Sequence, residues 1–172
     1  MQIQVDTREH KKEWLRIQKQ FDALGAKYFR SKLYVGDYMS LDNPRLVIDR
    51  KQDLLELCGN VCQQHERFRD ELIRAKEQGI KIVILCEHGP DINSLDDVIF
   101  WRNPRLDETD WIMKDGHPEK VQKYPGAITG SKLYGSLTTI RERYGVDFVF
   151  CTKENTGSEI LRILRGNVDG EK

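Results

Sequence analysis

The sequence has no excess of charge of either sign. Its 172 residues contain 28 Lys and Arg against 28 Asp and Glu, which gives a formal net charge of zero. A neutral chain offers no global attraction for nucleic acid, so any DNA-binding surface has to be a local patch. The best candidate is the basic stretch from Lys11 to Lys32, although such a run fits the solvated face of an ordinary helix equally well.

Long hydrophobic runs, repeats and a secretory signal are also missing. No apolar segment approaches the length of a membrane span, and the chain starts directly in a predicted strand. The four cysteines therefore suggest the reduced thiols of an intracellular, cytoplasmic protein and not a disulfide framework. Cys58, Cys62 and His65 lie close together on a predicted helix, which leaves a zinc site open. Cys58 falls on the apolar stripe of that helix, however, and a buried thiol is favoured.

What the chain does contain is an alternation of strand-like and helix-like segments. The predicted strands are Ile3 to Asp6, Tyr28 to Met39, Leu46 to Arg50, Lys81 to Cys86 and Val146 to Cys151. The predicted helices run from Trp14 to Leu24, from about Gln52 to Gln78, around Val98 to Trp101, from Thr129 to Gly145 and onward from Thr156. This order predicts an α/β fold with a mixed central β-sheet flanked by helices.

The length suits a single domain over residues 1–166, followed by a frayed tail at 167–172. The stretch from about 88 to 130 is rich in proline and mixed charge, and we interpret it as a loop-rich insertion. Its aromatic and basic residues could grip unpaired bases or simply pack the loop down; they are Trp101, Arg102, Tyr124 and Lys132.

Two carboxylates and a lysine carry the strongest chemical signal. Asp37 follows Gly36 at the end of one apolar stretch, and Asp49 and Lys51 lie on the next, after a turn through Asn43-Pro44. Because strand side chains alternate, Asp49 and Lys51 point to one face and Arg50 to the other. Paired carboxylates can hold a hard divalent ion such as Mg²⁺. A neighbouring lysine can then orient water or stabilise charge on a phosphorane.

The ordered motifs Val5-Asp6-Thr7-Arg8-Glu9, Gly36-Asp37 and Asp49-Arg50-Lys51 resemble those of the XPF-type structure-specific endonucleases. These belong to the PD-(D/E)xK nucleases, and their pattern is V-D-x-R-E, then G-D, then E-R-K-x-x-x-D. The stretch Glu66-Arg67-Phe68-Arg69 is similar to a G-R-[FY] element of the family. Three motifs in order at this spacing are a far more specific signal than any one of them alone.

The sequence departs from that pattern at two positions. Asp49 replaces the usual glutamate, a change that the wider PD-(D/E)xK class accepts. The last acid of the pattern falls on the apolar Leu55, while Asp53 is nearby but out of register. The departure puts in doubt the role of that last acid and not the metal centre.

The resemblance implies a restriction-endonuclease-like fold and a set of site residues. Asp6, Asp37 and Asp49 would bind Mg²⁺ or Mn²⁺, and Lys51 would be the catalytic lysine. The guanidinium groups of Arg8, Arg67 and Arg50 would bind DNA phosphates, although Arg50 could instead pair with an acid on the opposite face. Glu9 is as well explained by a structural ion pair as by a role in the site. For His65 a position in the core or behind the ligands is favoured over the role of a base.

The implied activity is hydrolysis of phosphodiester bonds in branched DNA, such as flaps, forks or junctions, during repair or recombination. The products would be a 5′-phosphate and a 3′-hydroxyl, and the family's habit of pairing two nuclease domains suggests a homodimer. A small free-standing domain of this kind would suit a phage or mobile-element protein. Two alternatives stay open: a catalytically silent DNA-binding or dimerisation module, and a nuclease of the same fold that acts on duplex ends or RNA.

Overall fold

A six-stranded mixed sheet lies at the centre of the computed structural model, which describes residues 1–166. The tail predicted to be frayed, 167–172, lies outside the described residues. The strands of the sheet are β1 (Gln2–Val5), β2 (Lys27–Arg30), β3 (Tyr38–Ser40), β4 (Asn43–Lys51), β5 (Lys81–Glu87) and β8 (Asp147–Cys151), while β6 (Thr109–Lys114) and β7 (His117–Gln122) form a separate hairpin. The order of strands in the central sheet is β2-β1-β3-β4-β5-β8. Only β3 runs antiparallel to its two neighbours, whereas the other pairs are parallel.

Among the described residues, five α-helices cover both faces of this sheet: α1 (Lys11–Ala23), α2 (Leu54–Cys62), α3 (His65–Glu77), α4 (Gly130–Tyr144) and α5 (Thr156–Leu164). The apolar residues of α2, α3 and α4 form one buried cluster with the sheet, and those of α1 and α5 form a second. A sheet buried on both faces is typical of α/β proteins. The predicted fold class is therefore confirmed. Within residues 1–166, no helix is long and apolar enough to cross a membrane.

Strand β4 connects the two faces of the sheet through its alternating side chains. Val47 belongs to the cluster under α2, α3 and α4, and Ile48 belongs to the cluster under α1 and α5. Continuing this alternation places Asp49 and Lys51 on the first side and Arg50 on the second, as the sequence predicts. The polar end of β4 thus serves two separate sites.

The strand predicted from Tyr28 to Met39 is wrong in its extent. The chain leaves the sheet at the end of β2, passes along a loop at 31–37 and re-enters as β3 on the other side of β1. Leu33 and Val35 are buried in that loop, which gives it a strand-like apolar pattern. The amide of Leu33 donates to a carboxylate oxygen of Asp6 and not to a neighbouring strand.

The long helix predicted from Gln52 to Gln78 is two helices. Helix α2 ends at Cys62, where the amides of Gln63 and Gln64 both donate to the carbonyl of Gly59. Helix α3 starts at His65. Cys58 is buried, in agreement with the predicted buried thiol, and its sulfur lies 3.9 Å from that of the exposed Cys62.

The segment from 88 to 130 contains more regular structure than its proline content suggests. It holds two 3₁₀ helices, Asp96–Phe100 and Pro104–Leu106, and a separate hairpin made of β6 (Thr109–Lys114) and β7 (His117–Gln122). Trp101 is buried against the cluster that contains α4, so its ring packs the segment down instead of lying free for a base.

Candidate active site

Asp37 is held against β4 by two hydrogen bonds. Its amide donates to the carbonyl of Ile48 at 2.8 Å, and its Oδ2 accepts the amide of Arg50 at 2.8 Å. These bonds bring the carboxylate of Asp37 beside the end of β4, next to Asp49. The residues brought together here are ones that the sequence predicted as metal ligands.

Gly36 makes this approach possible. Its backbone has a φ of +68°, and a Cβ built on it would lie 2.9 Å from the carbonyl oxygen of Ile48 and even closer to the side chain of Val47. Only glycine adopts this conformation at low cost and leaves the space that the neighbouring strand occupies. The Gly-Asp pair is therefore a packing requirement for the position of Asp37.

Lys51 forms an ion pair with Asp49 at the end of β4. Its Nζ lies 2.8 Å from Asp49 Oδ1, and both side chains are 11% exposed. The ammonium also lies 5.7 Å from the ring centroid of Phe68 on α3. Burial by itself would lower the pKa of Lys51, but the attraction of Asp49 and then of Asp37 outweighs it and raises the pKa. Lys51 is therefore a cation in the resting site.

The surroundings of Asp37 disfavour its ionised form. Burial raises the pKa of Asp37 well above its usual value, and repulsion from Asp49 and Glu9 adds to the rise. Asp37 Oδ2 and Asp49 Oδ1 have the partners described above, whereas no residue within 1–166 donates to Asp37 Oδ1 or Asp49 Oδ2. Two neighbouring carboxyl groups, each with a free oxygen, fit the needs of a hard divalent cation, whose positive charge would favour the ionised form of Asp37.

Asp6 differs from the other two acids because protein donors surround its carboxylate. Oδ1 accepts the amide and Nε of Arg8 at 2.6 and 2.9 Å, and Oδ2 accepts Arg8 Nη2 at 2.9 Å and the Leu33 amide at 2.6 Å. Burial alone would raise the pKa of Asp6, but these hydrogen bonds outweigh it and lower the pKa. In this arrangement Asp6 fixes Arg8 and the loop at 31–37 and has no oxygen left for a metal ion. Within the described residues, no group of three or more His, Cys, Asp and Glu side chains is arranged to hold a metal ion.

Arg50 lies on the opposite side of the sheet, in a buried ion-pair network. Its guanidinium donates to both carboxylate oxygens of Glu9, at 2.6 and 3.2 Å, and to Glu87 at 3.2 Å. Glu87 also accepts from Arg16 at 2.5 Å and from the Thr156 hydroxyl at 2.6 Å. Burial alone would lower the pKa of Arg50, but Glu9 and Glu87 raise it. The structure places Arg50 and Glu9 in a structural ion pair and leaves Arg50 out of reach of a DNA phosphate.

The other predicted phosphate-binding residues lie at the surface. The Arg8 side chain is 55% exposed and keeps its bidentate pair with Asp6, and its positive charge interacts with Asp37 and Glu71. Arg67 is exposed on α3, next to the Phe68 that contacts Lys51. His65 is exposed at the start of α3 and lines a cleft between α3 and α4, so it lies neither in the core nor among the acids.

Two acids of functional interest are not among the site residues that the sequence predicts. Glu87 ends β5 and is buried in the network of Arg50. Glu71 lies on α3, and its carboxylate accepts the amide of Gly36, in the loop at 31–37, at 3.3 Å. Glu87 ends the apolar stretch of β5, which was the available signal, whereas the charged sequence around Glu71 offers none. Asp53, out of register in the motif, caps α2 by accepting the Glu56 amide at 2.8 Å.

The sequence matches the ERCC4 domain family over residues 5–164. A comparison with curated proteins finds no match. The family match covers all the motifs described above and confirms the resemblance to XPF-type nucleases.

Two solved structures show the same fold. The structure of XPF from Aeropyrum pernix superposes with a TM-score of 0.62 at 18% identity, over 99% of this chain and 66% of that one. The same protein in complex with DNA gives a TM-score of 0.62 at 18% identity, over 95% of this chain and 63% of that one. This chain therefore spans just under two thirds of those chains, and the predicted restriction-endonuclease-like fold is confirmed.

Proposed function

Because this chain belongs to the ERCC4 domain family, we propose that it is a divalent-metal-dependent endonuclease that hydrolyses phosphodiester bonds in branched DNA. The observation that carries the proposal is the convergence of Asp37, Asp49 and Lys51 at the end of β4. A silent relative of the same fold would have no need to keep two adjacent carboxylates and a buried lysine at this point. The proposed role in repair or recombination follows from the branched substrate.

Asp37 and Asp49 are the proposed ligands of Mg²⁺ or Mn²⁺. One or two carboxylates are sufficient for Mg²⁺, which keeps several waters and takes further oxygens from a bound phosphate. When bound, the ion would polarise the scissile phosphate and lower the pKa of the attacking water. Asp6 supports the site indirectly, because it holds the loop that precedes Asp37.

Lys51 and Arg8 supply the positive charge of the proposed site. The ammonium of Lys51 stands beside Asp49, where it can orient the attacking water and stabilise the charge that develops on the phosphorus oxygens. Arg8 is exposed and fixed by Asp6, so its guanidinium can contact a phosphate next to the scissile bond. Arg67, exposed on α3, is the second candidate for such a contact.

We further propose that residues 1–166 form one nuclease domain that acts in the cytoplasm as a homodimer. The match over residues 5–164 supports the single domain, and four free cysteines fit a reducing compartment. Sedimentation of the purified chain, with and without flap DNA, checks the dimer.

The function is tested by cleavage of labelled flap, fork, Holliday junction, duplex and single-stranded DNA with Mg²⁺ or Mn²⁺. We expect metal-dependent cutting of the branched substrates that leaves a 5′-phosphate. The Asp37→Asn variant should lose it by roughly 10²-fold or more, because a metal ligand and its charge are removed. Equal cutting by wild type and variant would place the site elsewhere. Binding without any cutting would favour the silent module, and cutting of duplex ends or RNA alone would favour the third alternative.

Divalent ions should stabilise the folded protein. The mutual repulsion of Asp37 and Asp49 destabilises the metal-free state, and an ion that binds only the folded protein adds about 2.7 kcal/mol at a concentration 100 times its Kd. Thermal melts with Mg²⁺, Mn²⁺ or Ca²⁺ against EDTA measure the effect. In Asp37→Asn the metal-free melting temperature should rise and the response to ions should disappear. A wild-type melting temperature that ignores all three ions would contradict the assigned ligands.

A further inference from the structure

The β6–β7 hairpin stands away from the central sheet as a two-stranded ribbon. All residues of both strands are exposed except Val121, which is half-buried. The turn is fixed by Asp115 and Gly116, both with positive φ, a combination typical of tight hairpin turns. A two-stranded ribbon of this kind is only marginally stable alone in water, so its exposed apolar side chains are not explained by a role in folding.

Within residues 1–166, the hydrogen bonds that join the hairpin to the rest of the protein lie at its root. The amide of Lys123 donates to the carbonyl of Glu108 at 3.0 Å, and the side chain of Gln122 donates to the carbonyl of Leu106 at 2.9 Å. The ring of Tyr124 lies there under the cationic groups of Arg105 and Lys123, at 4.9 and 5.3 Å. Lys123 also pairs with the carboxylate of Glu108 at 3.2 Å, so charge pairs as well as hydrogen bonds hold the root.

The two faces of the ribbon differ in charge. Residues paired across antiparallel strands point to the same face, and Trp111 pairs with Lys120 while Met113 pairs with Pro118. Together with Thr109 and Gln122, these residues form what we call the Trp111 face, which carries one lysine and no carboxylate. The strand acids, Asp110 and Glu119, lie on the opposite face, where Glu119 pairs with Lys114 at 3.2 Å.

We propose that the Trp111 face binds unpaired bases of single-stranded DNA. The indole is 66% exposed and Met113 is 70% exposed, so a flat apolar surface is open to a base. Lys120 stands directly across from the indole, where it can contact the phosphate of the stacked nucleotide, and the absence of carboxylates spares that phosphate any repulsion. An aromatic platform with a neighbouring cation is the arrangement by which proteins bind single strands without reading sequence.

This inference rests on the proposed nuclease function and narrows its substrate. Branched DNA differs from plain duplex in having unpaired bases at the branch. A stacking platform on the hairpin would hold those bases while the adjoining duplex is cut. The substrate would then be recognised through its single-stranded arm.

Tryptophan fluorescence gives a direct readout of this contact. The chain has three tryptophans, and Trp14 and Trp101 are buried at 5% and 8% exposure, so Trp111 is the one that a ligand can reach. We expect dT16 to quench the emission of the 172-residue protein in EDTA, where no cleavage occurs. A 16-base-pair blunt duplex should quench it much less.

Three variants test the assignment by the anisotropy of fluorescein-labelled dT16. Trp111→Ala should raise the Kd about tenfold or more, and Trp111→Phe should keep most of the affinity because a ring still stacks. Ile112→Ala is the matched control, since it removes a similar apolar side chain from the opposite face of the same ribbon. It should leave the Kd unchanged. The same Kd in Trp111→Ala and wild type would overturn the proposal.

Two further outcomes separate this inference from its competitors. If Trp111→Ala turns a dimer into a monomer and leaves dT16 binding intact, the face pairs copies of the chain and the proposal is overturned. Because dT16 binding is measured without metal, its result does not depend on whether the protein cuts DNA. A protein that cuts flaps at the wild-type rate without Trp111 would overturn this inference alone and leave the nuclease function standing.

Discussion

Replacing Lys51 with alanine is expected to slow metal-dependent cleavage by roughly 10²–10³-fold, the usual cost of removing one preorganised charge from a transition state. The ammonium lies beside Asp49 in a largely buried position, so water cannot easily take over its role. Single-turnover cleavage of a flap substrate at saturating protein measures the chemical step separately from binding.

The Lys51 variant also removes a buried ion pair, and the two effects have to be separated. Lys81→Ala is a suitable control, because Lys81 pairs with Asp147 at 2.6 Å at the far end of the same sheet and is 49% exposed. It should cut at the wild-type rate. Circular dichroism and urea titration of both variants report the folded fraction under assay conditions. A well-folded Lys51→Ala protein that cuts within about threefold of wild type would exclude Lys51 from catalysis.

Replacing Arg50 with methionine is expected to lower the free energy of unfolding by about 3–5 kcal/mol, since it leaves Glu9 and Glu87 buried without their shared cation. The guanidinium is 3% exposed, and the two carboxylates are 4% and 0% exposed. The backbone amide of Arg50, which holds Asp37, is retained in the variant. The loss therefore measures the network on the far side of the sheet.

Arg102→Met provides the comparison for Arg50→Met. Arg102 forms a bidentate pair with Asp107 at 2.9 and 3.0 Å, but its side chain is 80% exposed. Exposed pairs contribute roughly 0–1 kcal/mol, so the urea midpoint should move little. If the two variants lost similar free energies of unfolding, burial would not explain the stability that Arg50 contributes. In Arg50→Met, binding of DNA should weaken only in proportion to unfolding.

The local part of the site could be predicted from the sequence. Patterns that span a few residues are enough to predict the hairpin of β3 and β4 and the buried strand β5. They also predict the alternation of Asp49, Arg50 and Lys51 between the two faces of the sheet. The partners of Arg50 could not be found in this way, because Glu9 and Glu87 are separated from it by 41 and 37 positions. The order of strands in the sheet brings them together, because β5 pairs with β4 and β1 lies one strand away from β4, across β3.

The errors in the predicted elements have a common physical cause. The apolar stripe of α2 continues in phase onto Phe68 of α3, so the spacing of hydrophobic residues cannot reveal the break at Gln63 and Gln64. In the same way, Leu33 and Val35 are buried in a loop, and the amide of Leu33 donates its hydrogen bond to the carboxylate of Asp6 and not to a neighbouring strand. Hydrophobic periodicity reports burial, and burial alone does not specify the hydrogen-bond partners of the backbone.

Because the side chains of β4 alternate between two faces with different partners, the number of residues in this strand matters more than the chemistry of any one side chain. Deleting one residue between Leu46 and Ile48 would shift every later side chain to the other face of the sheet. Arg50 would then enter the cluster under α2 and α3, and Asp49 and Lys51 would enter the layer of α1 and α5. Insertions are tolerable at the exposed start of the strand, Asn43 to Arg45. Evolution can therefore vary the chain at the start of β4, but the six residues from Leu46 to Lys51 are fixed as a unit.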